Sequence, residues 1–457
     1  MKKLLLILLI AICGIANAQY TKLLDFGGAA NGQHPHGSFI SDGTFLYGMT
    51  EQGGTNGYGT IFKIKPDGTE DTVLHSFGYN DINGSEPMGD LVYDGTFLYG
   101  MTYQGGTNNL GVIFKVKPDG TGYAKLLDFS GTANGNYPNG SLIYDGTFLY
   151  GMAFGGGTNG DGVIFKIKPD GTGYSKLLDF AGAANGQGPP GSLISDGTFL
   201  YGMTQTGGTS YMGVIFKIKH DGTGYAKLLD FSGANGNVPT GSLFYDGTFL
   251  YGMTNQGGTN GDGVIFKIKP DGTGYAKLLD FSGTANGSFP WGSLISDGTF
   301  LYGMTSYGGS NGVGVIFKIK PDGTGYSDLF DFANDNVHGY VPLGSLISDG
   351  SFLYGMASSG GTNGVGVIFK YGIAVGIAEN NAETDFTIYP NPATDNLTIE
   401  CPQQTVIEIL NIQGQLIKIL TANGNKTSVD VSAFPNGVYI VKVEMENGIM
   451  VMKFVRE

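Results

Sequence analysis

Leu142-Ile143-Tyr144-Asp145-Gly146-Thr147-Phe148-Leu149-Tyr150-Gly151-Met152 is a pair of β-rich runs around one turn dipeptide. Asp-Gly suits a tight hairpin because glycine takes positive φ without a steric penalty. Upstream lie Leu126-Leu127-Asp128-Phe129, a Gly/Asn/Pro loop ending at Asn139, and Gly140-Ser141. Downstream come a Gly-rich loop from Ala153 to Gly162, the run Val163-Ile164-Phe165-Lys166-Ile167-Lys168, and Pro169-Asp170-Gly171 before Tyr174-Ser175-Lys176. These are four short strands bounded by turn residues, with no helical period. The Leu-Tyr-Gly-Met core recurs with its tyrosine at Tyr47, Tyr99, Tyr150, Tyr201, Tyr251, Tyr302 and Tyr354, spaced 50 to 52 residues apart. Such a period marks one supersecondary unit repeated, because a unit that small cannot bury its apolar face alone.

The middle strands are apolar on both sides: Phe148 and Tyr150 alternate with Leu149. Strands buried on both faces suit blades stacked radially as in a propeller, or units stacked along a solenoid. Turn counting separates the two. The Asp-Gly before the Phe-Leu-Tyr strand occurs seven times, at Asp42, Asp94, Asp145, Asp196, Asp246, Asp297 and Asp349. The Asp-Gly after the Ile-Phe-Lys strand occurs six times, at Asp67, Asp119, Asp170, Asp221, Asp271 and Asp322. The last cassette therefore lacks an outer strand, and Thr21 to Phe26 supplies a spare one. That offset predicts an all-β, seven-bladed propeller of four-stranded repeats closed by the N-terminal strand.

Glycine makes up 81 of 457 residues, at fixed places between apolar runs, which argues against disorder. The formal charge is −14, and Arg456 is the only arginine. An acidic repeat region without guanidinium groups disfavours nucleic acid and bidentate clamping of phosphate. No long apolar segment beyond residue 18 suggests a membrane span.

Residues 1–18 read as a secretory signal: Lys2 and Lys3, an apolar run from Leu4 to Ile12, and Ala16-Asn17-Ala18 as the cleavage site. Cys13 follows Ile12, where a lipidation motif wants a small residue. Cleavage leaves Cys401 as the sole cysteine, so no intrachain disulfide is expected. Residues 19–371 are the expected propeller, the small and polar-acidic stretch 372–385 a linker, and 386–457 a small β-sandwich of short alternating strands. That tail contains Thr387-Ile388-Tyr389-Pro390-Asn391-Pro392-Ala393, Ile409-Leu410-Asn411-Ile412-Gln413-Gly414-Gln415 and Phe434-Pro435-Asn436-Gly437-Val438-Tyr439-Ile440-Val441. It resembles the type A C-terminal sorting domain of the type IX secretion system of Bacteroidetes. The resemblance implies export across the outer membrane, recognition of the tail by the secretion machinery, and surface attachment or release. The cassette is similar in layout to a kelch repeat but lacks its tryptophan, since Trp291 is the only one and falls in a loop. It more closely resembles the GloVer type of bacterial tandem repeat, over residues 20–371.

Between copies the Asp-Gly turns barely change, while the loops on the opposite face vary. Binding residues concentrate on loops held by a rigid scaffold. The first loop offers His36, Glu86, Tyr137, Phe289, Trp291 and Tyr340, and the second Tyr58, Tyr103, Phe154, Tyr211 and Tyr307. Aromatic side chains of this kind stack on sugars or anchor a protein partner. His34, His36 and His338 are the candidates for a metal, if ring closure brings the first and last blades together. Gly308-Gly309-Ser310-Asn311-Gly312 fits a nucleophile-elbow pattern but lacks the strand-to-helix turn that chemistry requires. The Asp of each Leu-Leu-Asp-Phe run reads as a backbone cap or a lysine partner. No acid/base pair unique to one blade stands out, and no cofactor is implied. The expectation is a secreted, non-catalytic binding scaffold for glycan or protein. The alternatives are a polysaccharide-acting enzyme using Glu86, Asp161 or Asp262, and a structural surface component.

Overall fold

The computed structural model describes residues 20–373, 387–401, 405–411, 416–422, 424–445 and 448–457. The signal expected over 1–18 lies outside these residues, as does the expected linker beyond Ile373; Gly372 ends a strand. The chain divides into two compact units, one through Ile373 and one from Ala374 onward.

In the first unit, seven four-stranded antiparallel sheets follow one another along the chain. Blade 3 pairs Ile143–Tyr144, Leu149–Ala153, Val163–Ile167 and Ser175–Asp179 in that order. Its second strand is buried at every residue, because the neighbouring blades cover both faces. One apolar cluster joins Tyr99, Met101 and Ile113 of blade 2 to Leu142, Leu149, Val163 and Phe165 of blade 3. Burying one such side chain is worth about 1.5–3 kcal/mol, so each blade depends on its neighbours for its core. Gly151 interrupts the strand because the Phe165 ring lies over it, where a Cβ would come within 2.6 Å of that ring.

The Asp-Gly turn does more than reverse the chain. Gly146 sits at φ +93°. Asp145 Oδ1 accepts the N–H groups of Thr147 and Phe148 at 2.8 and 2.7 Å, and Oδ2 accepts the Tyr150 hydroxyl at 2.9 Å. The same tyrosine-to-aspartate bond recurs in all seven blades. Burial alone would raise these carboxyls, but the N–H and hydroxyl donors outweigh it and hold them below the usual range. In the outer strand, Asp128 caps the Thr107 N–H at 2.8 Å and pairs with Lys125 at 2.7 Å, as its sequence pattern suggested.

Blade 7 is assembled from both ends of the unit. Ile347–Ser348, Phe352–Ala357 and Val367–Gly372 are completed by Tyr20–Asp25, which pairs antiparallel with Val367–Gly372. The details match an uninterrupted blade: Asp25 accepts the Thr362 N–H at 2.9 Å, as Asp179 accepts that of Thr158 at 3.0 Å.

A second closure lies at the axis. Each inner strand is preceded by a glycine whose Cβ, if present, would fall 2.1–2.5 Å from the carbonyl oxygen of the corresponding glycine in the next blade. The following residue donates its N–H to the side chain of its counterpart in the next blade: Ser38 to Asp90, Asp90 to Ser141, then Ser192, Ser242, Ser293, Ser345 and back to Ser38, at 2.5–2.8 Å. Glycine is needed here for close approach and not for φ, since none of these seven has positive φ.

The second unit has a three-stranded sheet of Thr387–Tyr389, Asn396–Glu400 and Lys426–Asp430. Its four-stranded sheet runs Leu416–Thr421, Val406–Asn411, Gly437–Met445, Gly448–Arg456. Leu397, Ile399 and Val429 of one sheet share a core with Ile407, Ile409, Val441 and Phe454 of the other, which makes a small sandwich. Cys401 is free and buried. Among the described residues, no helix is long and apolar enough to cross a membrane.

Two outcomes follow for stability. Gly140→Ala places a Cβ 2.1 Å from the Gly191 carbonyl oxygen, and urea unfolding is expected to show a loss of about 3 kcal/mol; Ser192→Ala, which removes one ring acceptor, is expected to cost about 1 kcal/mol. The turn carboxyls have folded pKa values below an unfolded value of about 3.9, so their stabilisation is present above that pH and lost as pH falls through the folded values. Acid titration of unfolding is therefore expected to turn downward below about pH 4, less steeply in Asp196→Asn.

Candidate functional site

The varied loops converge where the axial ring opens on the face opposite the Asp-Gly turns. His36 immediately precedes the ring glycine of blade 1, and Trp291 that of blade 6. Two residues upstream of each of these lies a position with unusual backbone. His34, Glu86, Tyr137, Val238, Phe289 and Val341 all have φ between +52° and +55°, and Gly188 holds the same place in blade 4. Left-handed backbone costs a non-glycine residue about 1–2 kcal/mol. Each is fixed from both sides: the Tyr137 N–H donates to the Leu110 carbonyl of the previous blade at 2.9 Å, and its carbonyl accepts the Phe154 N–H at 3.3 Å. Strain of this kind persists where the surroundings over-determine it, and it clusters at binding sites.

These seven positions form a collar, and in blades 3 and 4 the collar position faces an aromatic ring of the blade before it. Tyr103 of blade 2 stacks on Tyr137 of blade 3, with centroids 5.1 Å apart and planes at 30°. In blade 4 the collar glycine leaves room for Phe154, whose ring would lie 3.0 Å from a Cβ on Gly188. Phe289 meets Tyr307 edge-on at 6.1 Å. The Trp291 side chain is 37% exposed, while its carbonyl is anchored by the Thr240 hydroxyl at 3.1 Å. Tyr307 and Tyr211 are exposed, and half-buried Tyr58 lies 5.1 Å from the exposed ring of Tyr79. Tyr340 lies one residue before the collar position, which Val341 takes, and its backbone pairs with Ser359 as Asn136 pairs with Gly155 in blade 3.

The sector between blades 1 and 2 is different. His36 Nε2 lies 3.0 Å from Glu51 Oε2, and Gln104 donates to Glu86 at 2.6 Å. His34 Nδ1 is 2.9 Å from the Ser358 carbonyl. Burial and then the Glu51 charge push the Glu86 carboxyl up. Glu51 is also pressed upward by burial, but the His36 bond and the His36 and His34 charges outweigh this and hold it low. Two carboxyls driven in opposite directions are what a donor–acceptor pair requires. Nothing local in the sequence marks Glu51; only the other copies do, since Tyr103, Phe154, Gln205, Asn255, Ser306 and Ser358 occupy its place in the other blades.

His338 does not join His34 and His36. It lies in the blade 7 loop, 5.1 Å from the Tyr20 ring and bonded to Asp335 at 2.7 Å. Among the described residues, no three His, Cys, Asp or Glu side chains form a metal-binding group. Asp161 and Asp262 serve the collar through their carbonyls, which accept the Gly188 and Phe289 N–H groups at 2.8 and 2.9 Å. Ser310 does what threonine does in other blades: its N–H donates to Asp331 at 2.7 Å, in the geometry of Thr158 and Asp179.

Residues 11–148, 144–249 and 245–388 match the Gloeobacter/Verrucomicrobia repeat, and residues 387–457 match the secretion system C-terminal sorting domain. No curated protein matches the chain. Among solved structures, the chain is similar to the extracellular domain of a hybrid two-component system from B. thetaiotaomicron, at 12% identity and a TM-score of 0.51, covering 93% of this chain and 57% of that one. It is also similar to a puromycin-hydrolyzing peptidase of Mycobacterium tuberculosis, at 13% identity and a TM-score of 0.50, covering 84% and 61%. PorZ, a surface component of the type IX secretion system of Porphyromonas gingivalis, aligns at 15% identity and a TM-score of 0.47, covering 95% and 60%. The chain spans about three fifths of the length of these structures. At such identities the likeness concerns the fold alone.

If collar side chains are kept for something other than stability, Val238→Gly is expected to leave the unfolding free energy within about 1 kcal/mol, because relief of the left-handed strain offsets the entropy glycine adds to the unfolded chain. Glu51→Gln is expected to lower the Glu86 pKa toward the ordinary range, and His36→Ala to raise that of Glu51, both read by carboxyl carbon NMR titration.

Proposed function

The chain belongs to the Gloeobacter/Verrucomicrobia repeat family and ends in a type IX sorting domain, and from that premise we propose that its propeller is an exported, non-catalytic binding scaffold. The sorting domain makes it a secreted or cell-surface protein whose tail engages the type IX machinery. The ligand is read as a glycan held at the collar. The carrying observation is that six non-glycine side chains sit on left-handed backbone around one opening, although glycine would fit there at no cost in strain. The Tyr103–Tyr137 stack and the exposed face of Trp291 offer flat apolar surfaces suited to sugar rings. A repeat region without arginine favours neutral or hydroxyl-rich ligands over phosphate.

A glycan and polysaccharide binding screen on the mature chain, with and without EDTA, tests this reading. Saturable, competable binding that falls about tenfold or more in Trp291→Ala or Tyr137→Ala, with unfolding unchanged, is the expected result. Binding to no glycan overturns the sugar reading and leaves protein adhesion or, if the chain self-associates, a structural surface role.

One observation favours a second reading. The surroundings lower the Glu51 carboxyl and raise that of Glu86, the directions that the base and the acid of a polysaccharide-cleaving enzyme would need. That reading requires release of reducing ends from a bound polymer, abolished by Glu86→Gln and by Glu51→Gln; a polymer that binds and stays intact eliminates it.

A further inference from the structure

Six of the seven axial ring positions are serine and one is Asp90. Its carboxylate does what a serine oxygen does elsewhere: it accepts the N–H of the previous blade's residue, from Ser38 at 2.5 Å. Its own N–H donates to Ser141 Oγ at 2.6 Å, as the repeat requires. The hydroxyls of Ser38 and Ser141 also stand within hydrogen-bonding reach of it. Ring closure therefore needs the oxygen at this position but not the charge.

That charge has no countercharge. Among the described residues no lysine, arginine or histidine pairs with Asp90, and the channel around it is lined by serines, aliphatic side chains, Phe39 and Tyr144. The channel forms an open cavity of about 340 Å³ lined by all seven ring residues, ample for an ion with part of its water shell. Burial drives the Asp90 carboxyl up, and the Ser38 N–H and the Ser141 and Ser38 hydroxyls only partly oppose this. Asp90 itself is partly buried, facing the channel, and a carboxylate held there without a countercharge is costly; protonation, a paired cation or a metal ion offsets that cost. The donors here are a carboxylate and alcohol oxygens, which suit hard cations and not thiophilic ones.

We propose that the axial channel binds a hard cation at Asp90, with the Asp90 carboxylate and the Ser38 and Ser141 oxygens as its protein donors and water completing the shell. One carboxylate among neutral oxygens makes a low-affinity site, in the range of about 10⁻⁴–10⁻³ M typical of extracellular calcium modules. This site lies in the ring beneath the collar and does not depend on what the collar binds.

Thermal unfolding of the full chain, followed by fluorescence of Trp291, the only tryptophan, tests the proposal. After chelation, samples receive millimolar Ca²⁺, Mg²⁺ or Na⁺, with choline chloride as the ionic-strength control. A hard cation is expected to raise the Tm of the wild type by about 2–4 °C and to leave Asp90→Ser, which copies the other six blades, unmoved. In chelator, Asp90→Ser is expected to melt above the wild type, because the unpaired charge is gone. Asp90→Asn keeps the oxygen acceptor without the charge and is expected to behave like Asp90→Ser. An equal shift in wild type and both variants overturns the proposal, as does a wild type unmoved by all three cations.

Discussion

Everything in the propeller turns on how closely seven glycines approach one another at its axis. A carbonyl oxygen rests where a Cβ would be, and the next residue's N–H reaches the following blade's side chain. This pair of contacts sets the angle between blades, because neither tolerates added bulk or a wider gap. The apolar clusters between blades then fill at a spacing already fixed. Core packing alone tolerates volume-conserving changes; the axial ring does not. One residue before each ring glycine, by contrast, the chain carries His36, Met88, Asn139, Pro190, Thr240, Trp291 or Leu343. Invariance and variation thus meet at a single peptide bond, and the collar owes its rigidity to the ring beneath it.

Outward from the axis, different interactions hold successive layers. Next come interlocked tyrosines and aliphatics, with each Tyr hydroxyl tied to an Asp in its own hairpin. Further out, a lysine of the third strand lies over the blade's Phe ring, as Lys166 does over Phe148 at 4.9 Å, and also reaches a turn carbonyl of the next blade, as Lys166 reaches that of His220 at 3.1 Å. At the rim, Lys–Asp pairs three residues apart close the outer strand. These rim pairs are solvent-facing and contribute little individually. Their regularity matters more, because the same Asp also caps the loop that leads back toward the collar.

The architecture was legible because it depends on local chemistry repeated in order. Strands alternate with turns, and the mismatch between seven hairpin turns and six outer turns reveals that Tyr20–Asp25 belongs to the last blade. The dual role of Asp128 was legible for the same reason, since lysine and aspartate lie on one strand. What was not legible depends on residues about fifty apart touching across blade boundaries. The Gly-Ser pair reads as an ordinary loop end until its counterpart in the next blade is placed against it. Glu51 and Glu86 come from different blades, and their surroundings set them apart: burial and the Glu51 charge raise Glu86, while His36 and His34 hold Glu51 low. His338 misled because ring closure does bring blades 7 and 1 together, yet its loop holds it beside Tyr20 and Phe330, away from the mouth.

The split seventh blade also bears on how such a gene can change. Near-identical cassettes invite gain or loss of a whole copy by misaligned recombination. The closing strand would not resist such an event, since Val367–Gly372 closely repeats the third strand of every other blade, and any of them would offer Tyr20–Asp25 much the same edge. The zipper joins ends without counting blades. Counting falls to the axial ring, whose glycine contacts fit one angular step. Copy number in this protein is therefore policed at the centre of the wheel, where a sixfold or eightfold circle would have to break the same contacts in every blade at once.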